Sequence, residues 1–305
     1  MTKKKLYNIY GKKQLKDQLK NEKFNRITCS FYNYHVIENL EELRDDLYNF
    51  LSDIGVLGRI YLAEEGINAQ ISVPEESWSD FLDLIKKYDF FEDTHIKSAV
   101  QEGLSFLKLK IMLKKEIVAW GIDKKDYDMK YVGQHLDAKD FNNLIEDENT
   151  VLIDMRNNYE SEVGRFETAI CPKSKRSKDL IKEVENLIKD KEDKNIAMYC
   201  TGGIRCEKAS AYLIQSGYKN VFQLNGGIVE YAHQIKRKNL PSKFIGKNFV
   251  FDDRLGERIT EDIIAKCHLC ESISDNHTNC NNDACHILFI ICNECDKKLD
   301  GCCST

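Results

Sequence analysis

Apolar positions along the first third of the chain change their period several times. Residues 25–36, containing ITCSFYNYHV, are dense in aromatic and β-branched side chains and read as a strand. Leu40, Leu43, Leu47, Phe50, Leu51 and Ile54 then recur at helical spacing until Gly55 stops the pattern. Residues 58–73 hold two strand-like runs around a Glu-Glu-Gly turn. Pro74 and the acidic residues after it open a second helix, whose Trp78, Phe81, Leu82 and Ile85 share one face. Residues 106–120 alternate apolar and polar, as a half-buried strand does. The order β-α-β-β-α-β predicts a ferredoxin-like α+β sandwich over residues 1–125. That scaffold carries many functions and implies none.

After Lys124 the pattern changes again. A polar linker leads to a short helix over residues 137–145, and residues 151–156 form a buried strand ending in charge. Residues 180–188 are helical in period, residues 195–200 form another strand, and a helix over 207–215 ends at Gly217. Residues 220–227, NVFQLNGG, supply one more strand and a turn. Strands alternating with helices predict an α/β domain with a parallel sheet over residues 126–240. Catalytic groups in such sheets sit at the carboxyl ends of strands. Cys200 lies at one of them.

Composition narrows the class. With 305 residues and 42% hydrophobic content, the chain can fill two or three cores. A net charge of −5 does not advertise nucleic-acid binding. The basic N-terminus lacks the apolar segment of a signal peptide. The longest fully apolar run, residues 287–291, is too short to cross a bilayer. The expectation is a cytoplasmic protein without a membrane partner.

Cysteine changes the picture most. Eight of the 12 cysteines lie between Cys267 and Cys303, and clustered cysteines in a reducing compartment bind metal or do chemistry. Two Cys-x2-Cys knuckles, Cys267/Cys270 and Cys292/Cys295, have the spacing of a tetrahedral zinc site. Cys280, Cys285, Cys302 and Cys303 are candidates for a second site, with His268, His277 and His286 in reserve. Residues 241–305 are too few for a good core, so metal would stabilise them. A reduced tail that merely docks on the preceding domain is the competing reading. No organic cofactor is recognisable, since the chain has no Gly-x-Gly-x-x-Gly turn and no evident two-His-one-carboxylate set.

The loop CTGGIR, residues 200–205, carries the sharpest chemistry. Gly202 and Gly203 let successive N–H groups converge on one point, an anion-binding nest. The following helix adds its positive end, and Arg205 can add a full charge. All three favour a thiolate on Cys200. Cys200 therefore reads as a nucleophilic or sulfur-carrying residue, with Thr201, Gly202, Gly203 and Ile204 completing the loop. A cysteine simply packed at a strand end is the alternative. Cys206 either resolves an oxidised or persulfidated Cys200 or packs as a small apolar residue.

These residues resemble a rhodanese domain, whose reactive cysteine opens a six-residue loop between a strand and a helix. The Cys-x4-Arg spacing is one residue shorter than the Cys-x5-Arg of the related phosphatases and suits a persulfide. IDMRNNYESEVGRF (residues 153–166) and LNGGIVEY (residues 224–231) support the likeness. In that family Asp154, Arg156 and Glu160 hold the fold and loop together, which makes them structural rather than catalytic. GRIYLAEEGIN, CTGGIRCEKA and the tail NHTNCNNDACHILFIIC…CDKKLDGCCS are together similar to the oxygen-dependent tRNA uridine hydroxylase family. The resemblance implies an acylphosphatase-like N-terminal sandwich, a central rhodanese-like domain and a small Cys-rich segment. It also implies formation of 5-hydroxyuridine at wobble position 34 of tRNA, with O2 as co-substrate and an unidentified electron donor. A plain rhodanese-type sulfurtransferase and a non-enzymatic RNA-binding adaptor are the other readings. Candidate RNA contacts are Lys173, Lys175, Arg176 and Lys178, then Lys236, Arg237, Lys238, Lys243 and Lys247. The ferredoxin-like sheet is another, with Phe31, Tyr32 and Tyr34 on its first strand, although alternation must bury some of these rings.

Overall fold

The computed structural model describes residues 8, 10–91 and 94–304; residues 1–7 and 9 of the basic N-terminal stretch lie outside the described residues. Contacts divide the chain into two compact units, Met1–Lys125 and Asp126–Thr305.

The first unit runs α1 (Lys12–Lys20), β1 (Arg26–Tyr34), α2 (Leu40–Asp53), β2 (Leu57–Ala63), β3 (Gly66–Pro74), α3 (Trp78–Lys86), β4 (Lys97–Ser98) and β5 (Leu109–Leu113). The sheet order is β4-β1-β3-β2-β5, the ferredoxin-like arrangement with one strand added. Successive strand residues point to opposite faces. Cys29, Phe31, Ile60, Leu62, Ala69 and Ile71 therefore meet Leu43, Leu47 and Leu51 of α2 and Phe81 of α3 in one core. Glu64 and Glu65 make the predicted turn between β2 and β3.

One strand is placed differently from its expectation. The alternating stretch 106–120 yields only β5, which pairs in parallel with β2 rather than closing the sheet beside β1. The two-residue β4 takes that edge. The connection between them crosses the face away from the helices, where Thr28 and Ser105 hydroxyls bond at 2.8 Å in a buried position. Alternation reports that one face of a segment is buried, but not which strand lies beside it.

The second unit runs β6 (Gln134–Leu136), α4 (Ala138–Leu144), β7 (Thr150–Asp154), α5 (Asn158–Ser161), β8 (Gly164–Phe166), α6 (Ser177–Ile188), β9 (Asn195–Tyr199), α7 (Ile204–Gln215), β10 (Val221–Leu224) and α8 (Gly227–Lys238). It continues through β11 (Phe244–Asn248), β12 (Glu257–Arg258), β13 (His277–Asn279), β14 (Leu288–Ile290) and α9 (Asn293–Leu299). The main sheet, β6-β10-β9-β7, is parallel throughout. Asp137 caps α4 by accepting from the Asp140 N–H. Phe141 of α4 and Ile228 and Tyr231 of α8 pack on Leu152, Ala197 and Leu224. Helices α6 and α7 bury Leu180, Val184, Ala209 and Leu213. Two features departed from the pattern: α7 starts at Ile204, and α8 follows what read as a turn.

Residues beyond 240 join this unit through β11, which pairs antiparallel with β8 and sets Phe244 opposite Phe166. Their rings pack edge to face, 5.5 Å between centroids.

Candidate active site

Cys200 follows β9, an interior strand, and is wholly buried. The chain then turns through Gly203, whose φ of 100° suits a residue without a Cβ. The Gly203 N–H donates to Cys200 Sγ at 3.1 Å. Burial pushes this thiol up. The Cys206 thiol, the charge of Arg205 and the N–H groups of Cys206 and Arg205 outweigh burial and hold Cys200 at about 5. At neutral pH the sulfur is therefore a thiolate.

Arg205 serves that anion less directly than its spacing suggests. Its guanidinium is held by Glu160 of α5 through two bonds, Nη1 to Oε1 at 2.6 Å and Nη2 to Oε2 at 2.9 Å. Nη2 also donates to Thr201 Oγ1 at 3.2 Å. Glu160 is fully buried; burial opposes its ionisation, and the Arg205 charge overcomes that. A carboxylate this close cancels much of the guanidinium's field at Cys200. Arg205 thus ties the loop to α5 as well as facing the sulfur, whose charge it shares with the Cys206 thiol and the N–H groups of Cys206 and Arg205.

Cys206 lies wholly buried on the first turn of α7. Burial and its hydrogen bond with Cys200 hold its own thiol well above the ordinary range. It stays protonated and donates S–H to the thiolate. The packing role and the second-thiol placement thus coincide in one residue.

Asp154 and Arg156 form a second buried pair, Nε to Oδ1 at 2.8 Å and Nη2 to Oδ2 at 2.6 Å. The Tyr199 hydroxyl donates to Asp154 Oδ2 at 2.7 Å, and Arg156 Nη2 donates to the Gly164 carbonyl at 2.7 Å. These bonds join β7, β9 and β8 beneath the loop.

Two contributors had a weak signal in sequence or none. The N-terminus of α8 supports the loop from below: Ile228 N–H donates to Cys200 O at 3.0 Å and Val229 N–H to Thr201 O at 3.1 Å. A Cβ on Gly227 would lie 2.5 Å from Cys200 O and 2.7 Å from Thr201 O. The Gly-Gly pair before Ile228 was the only hint. Phe251 places its ring 5.9 Å from the Arg205 guanidinium, and nothing in its sequence context pointed there.

The tail brings its cysteines into two groups. Cys267, Cys270, Cys292 and Cys295 present sulfurs all within 4.8 Å of one another, as do Cys280, Cys285 and Cys303. Cys270 and Cys292 sulfurs are 3.6 Å apart, and Cys285 and Cys303 sulfurs 3.8 Å apart. A disulfide needs about 2.05 Å. The edge of a ZnS4 tetrahedron with Zn–S of about 2.3 Å is about 3.8 Å. The first group fits a zinc ion with four thiolates; the second offers three. Cys302 falls outside the 4.8 Å set but stands beside it, bonded to the Cys280 side chain and 3.9 Å from the Asp300 carbonyl. None of the reserve histidines joins either group. His268 Nε2 pairs with Glu162 at 2.7 Å, His277 packs edge to face on Phe249, and His286 is exposed.

Three family models match in chain order: the UPF0176 acylphosphatase like domain over residues 26–117, the Rhodanese-like domain over 137–234 and Rhodanase C-terminal over 245–305. The chain is 50% identical over 300 residues to the tRNA uridine(34) hydroxylase of Leptospira interrogans, covering 98% of this chain and 82% of that protein. It belongs to the tRNA uridine(34) hydroxylase family. The family's protein from Yersinia enterocolitica is 47% identical over 301 residues, covering 98% of this chain and 86% of that one. A rhodanese-like domain from Anabaena, at 17% identity and a TM-score of 0.30, covers 37% of this chain and 78% of its own. Within the family frame, the rhodanese match contains the whole Cys200 loop, and the C-terminal match contains both cysteine groups and Phe251.

The basic clusters fare unequally. Arg237, Lys238, Lys243 and Lys247 pair with Glu230, Asp137, Glu146 and Asp275. In the other cluster Arg176 pairs with Asp179. Four of the five cations in the second cluster thus have a carboxylate partner within the chain, three of these pairs being solvent-exposed.

Proposed function

We propose that this chain hydroxylates uridine 34 of tRNA to 5-hydroxyuridine, with Cys200 as the reactive group. Near-full-length identity of 46–50% to proteins named tRNA uridine(34) hydroxylase carries the reading. A loop that holds Cys200 as a thiolate supports it. Replacing C5–H by C5–OH with dioxygen puts one oxygen atom on the base. The other leaves as water, which takes two electrons and two protons from an electron donor. We assign the reaction to the cytoplasm, where tRNA is found and thiols stay reduced. Cys267, Cys270, Cys292 and Cys295 would hold a structural Zn2+ that stiffens the tail, and the reaction does not run through it.

The test is mass spectrometry of bulk tRNA from cells with and without the gene, in a strain lacking any other route to 5-hydroxyuridine. The nucleoside should disappear with the gene and stay absent with Cys200→Ser. Unchanged amounts would overturn the proposal. A plain sulfurtransferase would use the same loop but needs neither flanking segment. An adaptor needs no ionised thiol.

A further inference from the structure

The sheet of the first unit has one face packed by α2 and α3 and one face turned away from them, whose end around Thr28 and Ser72 the connection from β4 to β5 covers. Alternation and register place Tyr32 and Tyr34 of β1, Asn68 and Gln70 of β3, Arg59 and Tyr61 of β2, and Lys110 of β5 on the outer face. Lys108 and Lys114 flank β5 in the same phase. No strand position on that face carries Asp or Glu. In a chain of net charge −5 this is a local reversal of sign.

Arg59, Lys108, Lys110 and Lys114 form no ion pair among the described residues, unlike the paired cluster on α8 and β11. Lys108, burial and Arg59 crowd Lys110 and lower its affinity for its own proton, so an incoming anion would relieve the repulsion. The rings are not buried like Phe31, their neighbour on the opposite face. Lys114 Nζ sits 5.2 Å from the Tyr61 ring centroid and Lys97 Nζ 4.9 Å from that of Tyr32. Tyr32 and Tyr61 both stand opposite Asn68, one strand to either side of it. Two strand spacings separate them by about 10 Å. The Asn68 carboxamide lies between the rings and accepts from Gln70 Nε2, two positions along the strand between Ser30 and Arg59. The two carboxamides offer the donors and acceptors that base edges match.

We infer that this outer sheet face binds a single-stranded stretch of RNA, with bases stacked on Tyr32 and Tyr61 and phosphates met by Arg59, Lys108, Lys110 and Lys114. The inference rests on the proposed tRNA substrate and assigns the RNA contact to the first unit. Unpaired loops fit better than duplex, because only splayed bases can lie flat on exposed rings. Spacing between rings and cations also favours a chain that alternates base and phosphate over an acidic peptide.

Fluorescence anisotropy with the full-length chain and an anticodon stem-loop RNA tests this. Changing Lys108, Lys110 and Lys114 to Gln together should weaken binding at least about tenfold and flatten the log Kd against log salt slope by about 2. The same change at Lys173, Lys175 and Lys178 removes equal charge elsewhere and should alter Kd less than about threefold. Tyr61→Ala should weaken binding about fivefold or more. Equal losses from both triple variants, an unaltered Kd in the sheet variants, or no RNA binding by the wild type would overturn the inference. Competition by poly-glutamate matching that of RNA at equal charge would do the same. Cys200→Ser should bind the RNA like the wild type. Loss of the face with hydroxylation retained in cells would therefore leave the functional proposal standing, and binding without hydroxylation would leave the face standing.

Discussion

A carboxylate that clamps an arginine also governs a sulfur it never touches. Glu160 neutralises Arg205, so removing either partner should move Cys200 in opposite directions. Arg205→Ala takes away a positive charge and should raise the Cys200 pKa, weakening activity less than Cys200→Ser, because loop amides still hold the anion. Glu160→Gln leaves a nearly buried guanidinium without its counter-charge, which typically costs about 3–5 kcal/mol of stability. It should nevertheless lower the Cys200 pKa further, since the guanidinium's field at the sulfur is no longer offset. Thiolate ultraviolet absorbance against pH reads both shifts, and a common direction would refute the arrangement. Stability follows the same linkage. The folded thiol sits at about 5 against an ordinary 9.0, so the unfolded chain binds more protons between those values. This contribution is full above 9.0 and lost as pH falls through 5. The wild type should therefore gain stability over Cys200→Ser as pH rises from about 5 to about 8, measured by urea melts at each pH.

At the scale of elements, two helix ends meet the loop, and one glycine lets them approach. Gly227 has φ of 67° and no room for a Cβ against Cys200 O, Thr201 O and Gly202 N. Gly217, after α7, has φ of 100° and nothing within 4 Å. Gly217→Ala should cost only the backbone strain, on the order of 1–2 kcal/mol, and leave activity intact. Gly227→Ala adds three backbone collisions, should cost more than about 2 kcal/mol, and should displace the loop. Melting temperature and tRNA hydroxylation together separate the cases; equal effects on both would show that α8 does not support the loop. The strand ending at Cys200, the helix after it and the double glycine were all readable from residue order. That the second glycine starts α8 was not, because LNGG reads equally well as a turn. Phe251 shows the same limit: its contact with Arg205 joins positions 46 residues apart by way of the β11–β8 pairing.

Across the whole molecule, the tail is tied to the rhodanese-like part by more than metal. Lys243 reaches Glu146, His268 reaches Glu162, and β11 pairs with β8. Removing metal with a chelator, or making Cys270→Ser, should therefore loosen residues 241–305 and also lower the melting temperature of the second unit. The first unit, Met1–Lys125, has its own core and should keep its hydrogen-exchange protection. Metal should also decide which thiol is alkylated first. Cys270 is exposed and Cys200 is wholly buried. With metal bound, limiting reagent should spare Cys270; after chelation Cys270 should label ahead of Cys200, despite the latter's ionised state. Peptide mapping checks the order, and labelling of Cys270 at one rate with and without chelator would refute a metal there.

The residue order alone determined the kinds of local structure and the place of Cys200 at the head of its loop, because both depend on short spacings. Periods of two and 3.6 mark buried faces, and Cys200, Gly202, Gly203 and Arg205 lie within one turn of chain. It also marked the two knuckles, Cys267/Cys270 and Cys292/Cys295, whose sulfurs the fold brings within 4.8 Å of one another. Partnership over long separations was decided by the tertiary structure. It placed β5 beside β2, turned Arg205 toward Glu160, left Cys302 out of the second cysteine group and matched most of a basic cluster with carboxylates. A spacing states what a side chain can reach along its own segment. Which groups come from elsewhere to meet it depends on how the sheets are ordered and closed, and that is a property of the packed chain.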